Sequence, residues 1–181
     1  MIKFWVPQPD GRMREAFIQP EAVPMLERVS VHEAGHAVVA SHHGANVLGI
    51  AFTIEPSGYR VMALYNTPPP FFVNQLCAIY AAGSAGEQLV YGDYGMDGAS
   101  GDLRDIDRVG GPLDYGTLVS RASGILESRR AQFDRIATLL RERLHGNEEI
   151  TMDLMPHGRT GAILVSGSEV VESGHCPFSV R

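Results

Sequence analysis

The stretch SVHEAGHAVVASHHG, residues 30–44, constrains the fold of this chain more than any other segment. It lies in a predicted helix that begins near Pro24, where proline suits the first turn, and ends at Gly44, a typical C-cap residue. His32 and His36 are separated by one helical repeat, so they project from one face with about 6 Å of rise between them. Two imidazoles placed in this way can bind one metal ion.

Glu33 lies beside the two histidines and completes an HExxH motif. In the zincin arrangement the two histidines bind zinc and the glutamate is the general base. Neutral imidazoles leave the zinc electron-poor, so its bound water has a pKa of about 7. The glutamate accepts a proton from that water and later passes it to the leaving amine. A structural zinc site fits less well, because such sites are usually closed by four Cys or His ligands.

A third histidine, His42, has the spacing from His32 that metzincins use for their third ligand. In that pattern a glycine lets the chain leave the helix, whereas here Val39 occupies the position within the helical run AVVA. If the helix continues, His42 lies about 15 Å along the axis from His32 and cannot bind the same ion. We therefore predict that His42 and His43 cover the last helical turn, where donor side chains are favoured.

The third ligand must then come from a later segment, and two carboxylates are candidates. Glu87 lies on the apolar stripe of a second predicted helix, and a buried carboxylate needs a partner. Asp102 follows a glycine-rich loop and opens a predicted short helix, where the helix dipole favours an ionised carboxylate. Periodicity does not decide between them. Two histidines and a carboxylate favour Zn²⁺, although the same ligands also suit iron or cobalt.

The remaining pattern predicts one α+β domain over residues 1–181, mainly α-helical with a small β-sheet. Its two clearest strands flank the turn signal PSG and form a predicted hairpin. The predicted elements after the first helix are strands over 47–55 and 59–65, a helix over 73–91, a short helix from about 102 to Gly110, a long helix over 115–145 and a strand over 162–165.

Both ends of the chain are predicted to be less regular. Prolines and a glycine break up residues 1–19, which we expect to form an irregular N-terminal arm, and residues 150–181 are expected to be a C-terminal extension. Cys77 lies in an apolar stretch and is predicted to be buried, whereas Cys176 is predicted to be a tail thiol. Two such distant cysteines indicate no disulfide framework.

Composition argues against several classes of partner. The net charge of −6 is unlike that of a dedicated nucleic-acid-binding protein. Lys3 is the only lysine and no glycine-rich loop precedes it, so the sequence contains no P-loop for ATP. No apolar run approaches the about 20 residues needed to span a bilayer, and the first residues lack the apolar core of a signal peptide. We therefore expect a cytoplasmic protein that binds neither nucleic acid, ATP nor membranes.

Three motifs occur in a fixed order: HEAGHA (32–37), AAGSAGEQLVYG (81–92) and DGASGDL (97–103). They resemble HEAGHA, GGRAAEELIFG and TGASNDL, which occur in that order in the peptidase domain of the ATP-dependent zinc metalloprotease FtsH. The resemblance covers about residues 26–107. It implies a mainly helical domain with a small sheet, whose edge can pair with an extended peptide substrate.

The resemblance also implies a role for each matching residue. His32 and His36 match the zinc histidines, Glu33 the catalytic base, and Asp102 the third zinc ligand. Glu87 would lie behind the metal, where it could accept a ring N–H from a ligating histidine and fix its tautomer. The resemblance thereby favours Asp102 over Glu87 as the third ligand.

The sequence departs from the FtsH pattern in ways that bear on function. It contains neither the AAA module nor the membrane anchor, and Gly101 replaces the asparagine before the aspartate. We therefore expect a free-standing zinc metallopeptidase that cleaves peptides or unfolded and flexible segments, unless a separate unfoldase supplies other substrates. A peptidase that cuts one partner protein would use the same chemistry. The alternative is a non-catalytic zinc-binding interaction domain derived from such a peptidase, against which the intact Glu33 argues.

Overall fold

The computed structural model describes residues 2–8, 10–18, 22–55, 58–67, 71–111, 114–145, 150–155 and 159–174. These ranges contain helices and strands in both halves of the chain, so the fold is mixed α and β, as predicted. No helix within them is long and apolar enough to cross a bilayer. The helices are α1 (Val23–His42), α2 (Val73–Tyr91), α3 (Met96–Arg108), α4 (Tyr115–Ser128), α5 (Arg130–His145) and α6 (Gly167–Ser173). The strands are β1 (Ile2–Pro7), β2 (Met13–Ile18), β3 (Asn46–Glu55), β4 (Gly58–Asn66), β5 (Ile150–Thr151), β6 (Asp153–Met155) and β7 (Arg159–Ser166).

The described residues form two sheets, whereas the sequence predicted a single small sheet. The first has the order β2-β1-β5, in which β1 is antiparallel to β2 and parallel to β5. The second has the order β4-β3-β7-β6 and is antiparallel throughout. The predicted hairpin is confirmed as β3 and β4, which leaves β4 at one edge. The two sheets meet where the rings of Phe4 and Phe52 lie 5.6 Å apart.

Helix α1 lies in the core and packs closely against α2. A Cβ atom at Gly35 of α1 would fall 2.2 Å from the carbonyl oxygen of Ala82 in α2, so small residues permit this approach. The helix continues through the buried Val39 to His42, as predicted. His42 is exposed on the last turn, and Gly44 follows with a φ of 81°. The predicted bounds of α2 are confirmed at both ends.

The prediction of an irregular arm over residues 1–19 is wrong for the part of it that the structure describes. Strands β1 and β2 form an antiparallel hairpin, and Gly11 supplies the left-handed backbone conformation in its turn with a φ of 79°. The side chains of Ile2 and Phe4 are buried, which ties this hairpin to the core. Pro7 ends β1, where a missing N–H does not interrupt the strand pairing.

The predicted long helix over 115–145 is two helices, α4 and α5, which meet at Arg129. Arg129 departs from helical geometry with a φ of −116° and a ψ of 24°. Just before it, the hydroxyl of Ser128 donates to the carbonyl of Ile125 at 2.7 Å, and such side-chain bonds bend helices. Neither glycine nor proline occurs at this break, so no residue type signalled it.

Two further boundaries differ from the predictions. Helix α3 begins at Met96, so Asp102 lies inside the helix and not in its first turn. The dipole argument for an ionised Asp102 is therefore wrong, although the residue does reach the site. Residues 150–181 were predicted to be a C-terminal extension of the domain. The described part of this segment is instead built into the fold, because β7 is an inner strand of the second sheet. The predicted strand over 162–165 lies within β7, and Cys176 lies outside the described residues.

Candidate metal centre

Helices α1 and α3 bring His32, His36 and Asp102 together. Oδ2 of Asp102 lies 3.2 Å from Nε2 of His32 and 3.5 Å from Nε2 of His36. The centroids of the two imidazole rings are 4.7 Å apart. One potential ligand atom from each residue lies within 4.8 Å of the other two. This buried group, which we call the metal cluster, can bind a metal ion.

The hydrogen bonds behind the two rings fix how they face the cluster. Nδ1 of His32 lies 2.7 Å from Oε1 of Glu87, and Nδ1 of His36 lies 2.7 Å from the carbonyl oxygen of Ile79. A carboxylate and a carbonyl only accept hydrogen bonds, so each Nδ1 must be the donor. A neutral ring then carries a lone pair on Nε2, directed at Asp102. Nε2 of His32, Nε2 of His36 and Oδ2 of Asp102 are then all hydrogen-bond acceptors. Such atoms can lie this close together only with a cation or protons between them.

Asp102 gives the clearest sign that a cation fits. Its Oδ2 is buried but makes no hydrogen bond of normal geometry. Buried polar atoms in folded proteins almost always have a partner. A divalent cation would satisfy this oxygen together with both Nε2 lone pairs. The residues present therefore fit a metal ion, with two nitrogen ligands and one oxygen ligand.

The same geometry favours protonated imidazoles when no cation is bound. Burial lowers the pKa of His32, but the neighbouring carboxylates of Asp102 and Glu87 outweigh burial and raise that pKa to about 10. For Asp102, burial raises the pKa, but the charge of His36 and the proximity of both imidazoles lower it to about 2. The cluster thus attracts positive charge, and a metal ion must displace protons to enter it.

Glu87 is buried behind His32, as the resemblance implied. Its Oε2 accepts hydrogen bonds from Nε of Arg28 at 2.5 Å and from the backbone N–H of Gly95 at 3.0 Å. Because Oε1 accepts from His32, the carboxylate is held by three donors and orients the imidazole. Sequence reasoning missed Arg28. The signal was its position four residues before His32, which puts it on the same side of α1.

Glu33 lies on the side of α1 that faces β4 and an open cavity. Its Oε2 accepts the backbone N–H of Ala63 in β4 at 2.7 Å. The cavity has a volume of about 480 Å³ and reaches both His32 and Glu33. Apolar and aromatic side chains form one part of its wall: Met25, Leu26, Val29, Tyr59 and Val61. The charged residues Arg28, Arg60 and Glu87 and two glycines form the rest. The predicted base therefore borders a space large enough for a substrate side chain.

The other predicted histidines, His42 and His43, lie at the far end of α1. Their rings contact each other, with centroids 5.1 Å apart, and neither belongs to the metal cluster. This agrees with the prediction that an uninterrupted helix carries His42 away from the ion.

No family model and no curated protein matches this sequence. The resemblance to the FtsH peptidase domain therefore stays a prediction from three motifs. What the structure adds is their juxtaposition, since the first and third motifs contribute the metal cluster and the second contributes Glu87.

Proposed function

We propose that this protein is a zinc-dependent metallopeptidase that hydrolyses peptide bonds in peptides or in unfolded and flexible segments. The observation that carries the proposal is an open cavity lined both by His32 of the metal cluster and by Glu33. Two imidazoles and a carboxylate suit zinc. Three protein ligands leave a coordination position open, which is typical of catalytic and not of structural zinc sites.

In this proposal His32, His36 and Asp102 hold the ion. When bound, zinc supplies the Lewis acidity that makes water a nucleophile near neutral pH. Glu33 would act as the general base: it would take a proton from water as the water oxygen bonds to the peptide carbonyl carbon, and would pass that proton to the nitrogen as the C–N bond breaks. The bond from Ala63 fixes one carboxylate oxygen and so orients the base before substrate arrives.

Strand β4 offers a binding edge for an extended peptide. Ala63 directs its N–H towards Glu33 and not towards β3. Backbone groups alternate in direction along an antiparallel strand, so the neighbours Val61 and Tyr65 also direct theirs to this edge. A peptide that pairs there as an additional strand would run past Glu33 and the metal cluster.

The cavity wall supports a preference for apolar substrate residues. The side chains of Met25 and Tyr59 line the cavity with 64% and 42% of their surface exposed. A large apolar side chain next to the scissile bond would cover this surface and gain about 25 cal/mol per Å² of apolar area buried.

Cleavage of an unfolded-protein panel by zinc-loaded protein tests the proposal. We expect wild type to cleave and Glu33→Gln to bind zinc normally but to cleave at least about 100-fold more slowly, because the base is lost. Glu142→Gln, an exposed glutamate on α5, is the matched control and should cleave like wild type. Full activity of Glu33→Gln would refute the mechanism. Zinc-bound wild type that cleaves no substrate would favour the non-catalytic interaction domain instead.

A further inference from the structure

Arg28 joins the helix that carries both histidines to the segment that leads into α3. Its Nε donates to Oε2 of Glu87 and its Nη2 donates to Oδ1 of Asp93, each at 2.5 Å. Its guanidinium also lies over the ring of Tyr91, 5.2 Å from the centroid. Tyr91 ends α2, and Asp93 lies in the short connection between α2 and α3, so this one side chain contacts both α2 and the connection that follows it.

Arg28 does not contact the metal cluster directly. Its two carboxylate partners, Glu87 and Asp93, connect it to His32 and to the chain that leads to Asp102. Through Glu87 it acts on the imidazole of His32, because Glu87 divides its two oxygens between His32 and Arg28. Through Asp93 it holds the connection between α2 and α3, and α3 is the helix that carries Asp102. A planar guanidinium can hold both carboxylates at once, whereas the ammonium of lysine acts as a single point charge.

We propose that Arg28 is a positioning residue for metal binding, which sets the orientation of His32 through Glu87 and the approach of Asp102 through the α2–α3 connection. A purely stabilising role fits less well. Asp93 is 73% exposed, and exposed ion pairs contribute little to the stability of a fold. Glu87, in contrast, is buried, and without Arg28 its carboxylate loses one of three donors and can rotate away from His32.

Titration of metal-free protein with Zn²⁺ in competition with a chromogenic chelator tests this inference. We expect Arg28→Gln to weaken zinc binding by about tenfold, the lower end of the loss expected when a group that contacts a metal ligand is removed, because Arg28 acts on His32 only through Glu87. Arg28→Lys should recover part of the affinity, because it can still pair with Glu87. With Co²⁺ as a spectroscopic probe, Arg28→Gln should shift the visible absorption bands, since the ligand geometry changes.

Arg130→Gln is the matched control, because Arg130 forms an exposed ion pair with Asp134 on α5. It should bind zinc with wild-type affinity. If Arg28→Gln does not fold, the surface variant Asp93→Asn replaces it and should weaken zinc binding by about three- to tenfold. Wild-type zinc affinity in the folded Arg28 or Asp93 variant, or an unchanged cobalt spectrum in Arg28→Gln, would overturn the inference.

The inference rests on the metal cluster and not on peptide cleavage, so its failure can be told apart from failure of the proposed function. Wild type that binds zinc but cleaves no peptide would refute the proposed peptidase activity. The zinc affinities of the Arg28 variants would still test the role of Arg28 in metal binding. Wild type that binds neither Zn²⁺ nor Co²⁺ would overturn both.

Discussion

Gly83 lies against the imidazole of His32, so closely that a Cβ atom at Gly83 would fall 2.2 Å from Nε2 of that ring. Nε2 is the nitrogen that faces Asp102. The absence of a side chain at position 83 in α2 is therefore a condition for the metal cluster to form. A second glycine, Gly98 in α3, approaches the same ring from another element.

Gly83→Ala is accordingly expected to displace the His32 ring and to weaken zinc binding by at least about tenfold. Gly101→Ala is the matched control, because no atom lies within 4 Å of a Cβ built there. That variant should keep wild-type zinc affinity and stabilise α3 by about 0.5–1 kcal/mol, since glycine is unfavourable inside a helix. Chelator competition and thermal unfolding measure both effects, and equal zinc affinities for the two variants would contradict the packing argument.

Zinc binding should release protons. The folded pKa of His32 is raised to about 10, so the ring is protonated at pH 8 and must lose that proton before Nε2 can bind a metal. Zinc affinity should therefore rise steadily from pH 6 to 8, because this whole range lies below the folded pKa of His32, which is about 10. Calorimetric titrations in buffers of different ionisation enthalpy count the protons, and zinc binding without proton release at pH 8 would contradict this prediction.

His32 also makes the stability of the metal-free protein depend on pH. Its folded pKa of about 10 exceeds the ordinary value of 6.5, so its contribution is fully present below pH 6.5 and is lost as the pH rises towards 10. Saturating zinc should remove this dependence, because a metal-bound ring has no proton to lose at Nε2. Urea unfolding with and without zinc checks both statements.

The pair of Arg143 and Glu169 should stabilise the C-terminal end of the described fold in a pH-dependent way. The bonds from Arg143 and from the backbone N–H of Ser166 lower the pKa of Glu169 to about 2, from 4.5. This contribution is present above pH 4.5 and is lost as the pH falls towards 2. Because the two side chains are 36% and 32% exposed, we expect Glu169→Gln to cost no more than about 1 kcal/mol at pH 7. A cost that stayed constant down to pH 2 would argue against the ion pair.

Local patterns predicted the elements that carry most of the site. The helix with His32 and His36, the β3–β4 hairpin and both ends of α2 follow from periodicity and turn residues within each segment. Periodicity did not choose between Glu87 and Asp102, because that choice depends on how α2 and α3 pack around one ring of α1. The motif resemblance favoured Asp102 over Glu87 as the third ligand. In the structure Asp102 lies next to Nε2 of His32, and Glu87 lies next to Nδ1 of the same ring.

Errors arose where tertiary contacts outweigh local signals. An irregular arm was predicted for the N-terminal residues because prolines interrupt their hydrophobic pattern. In the folded protein, however, Ile2 and Phe4 are buried. The break between α4 and α5 has no glycine or proline to mark it. Arg28 was missed because its partners, Glu87 and Asp93, become its neighbours only after folding.

Elemental analysis of purified wild type beside Asp102→Ala and Glu87→Ala tests the central claim most directly. Wild type should carry one zinc ion per chain, Asp102→Ala should lose most of it, and Glu87→Ala should retain zinc with affinity reduced about 10- to 100-fold. The reason is that Asp102 supplies a ligand atom, whereas Glu87 only orients His32. Metal-free wild type, or a Glu87→Ala variant that loses its zinc while Asp102→Ala keeps it, would contradict the account.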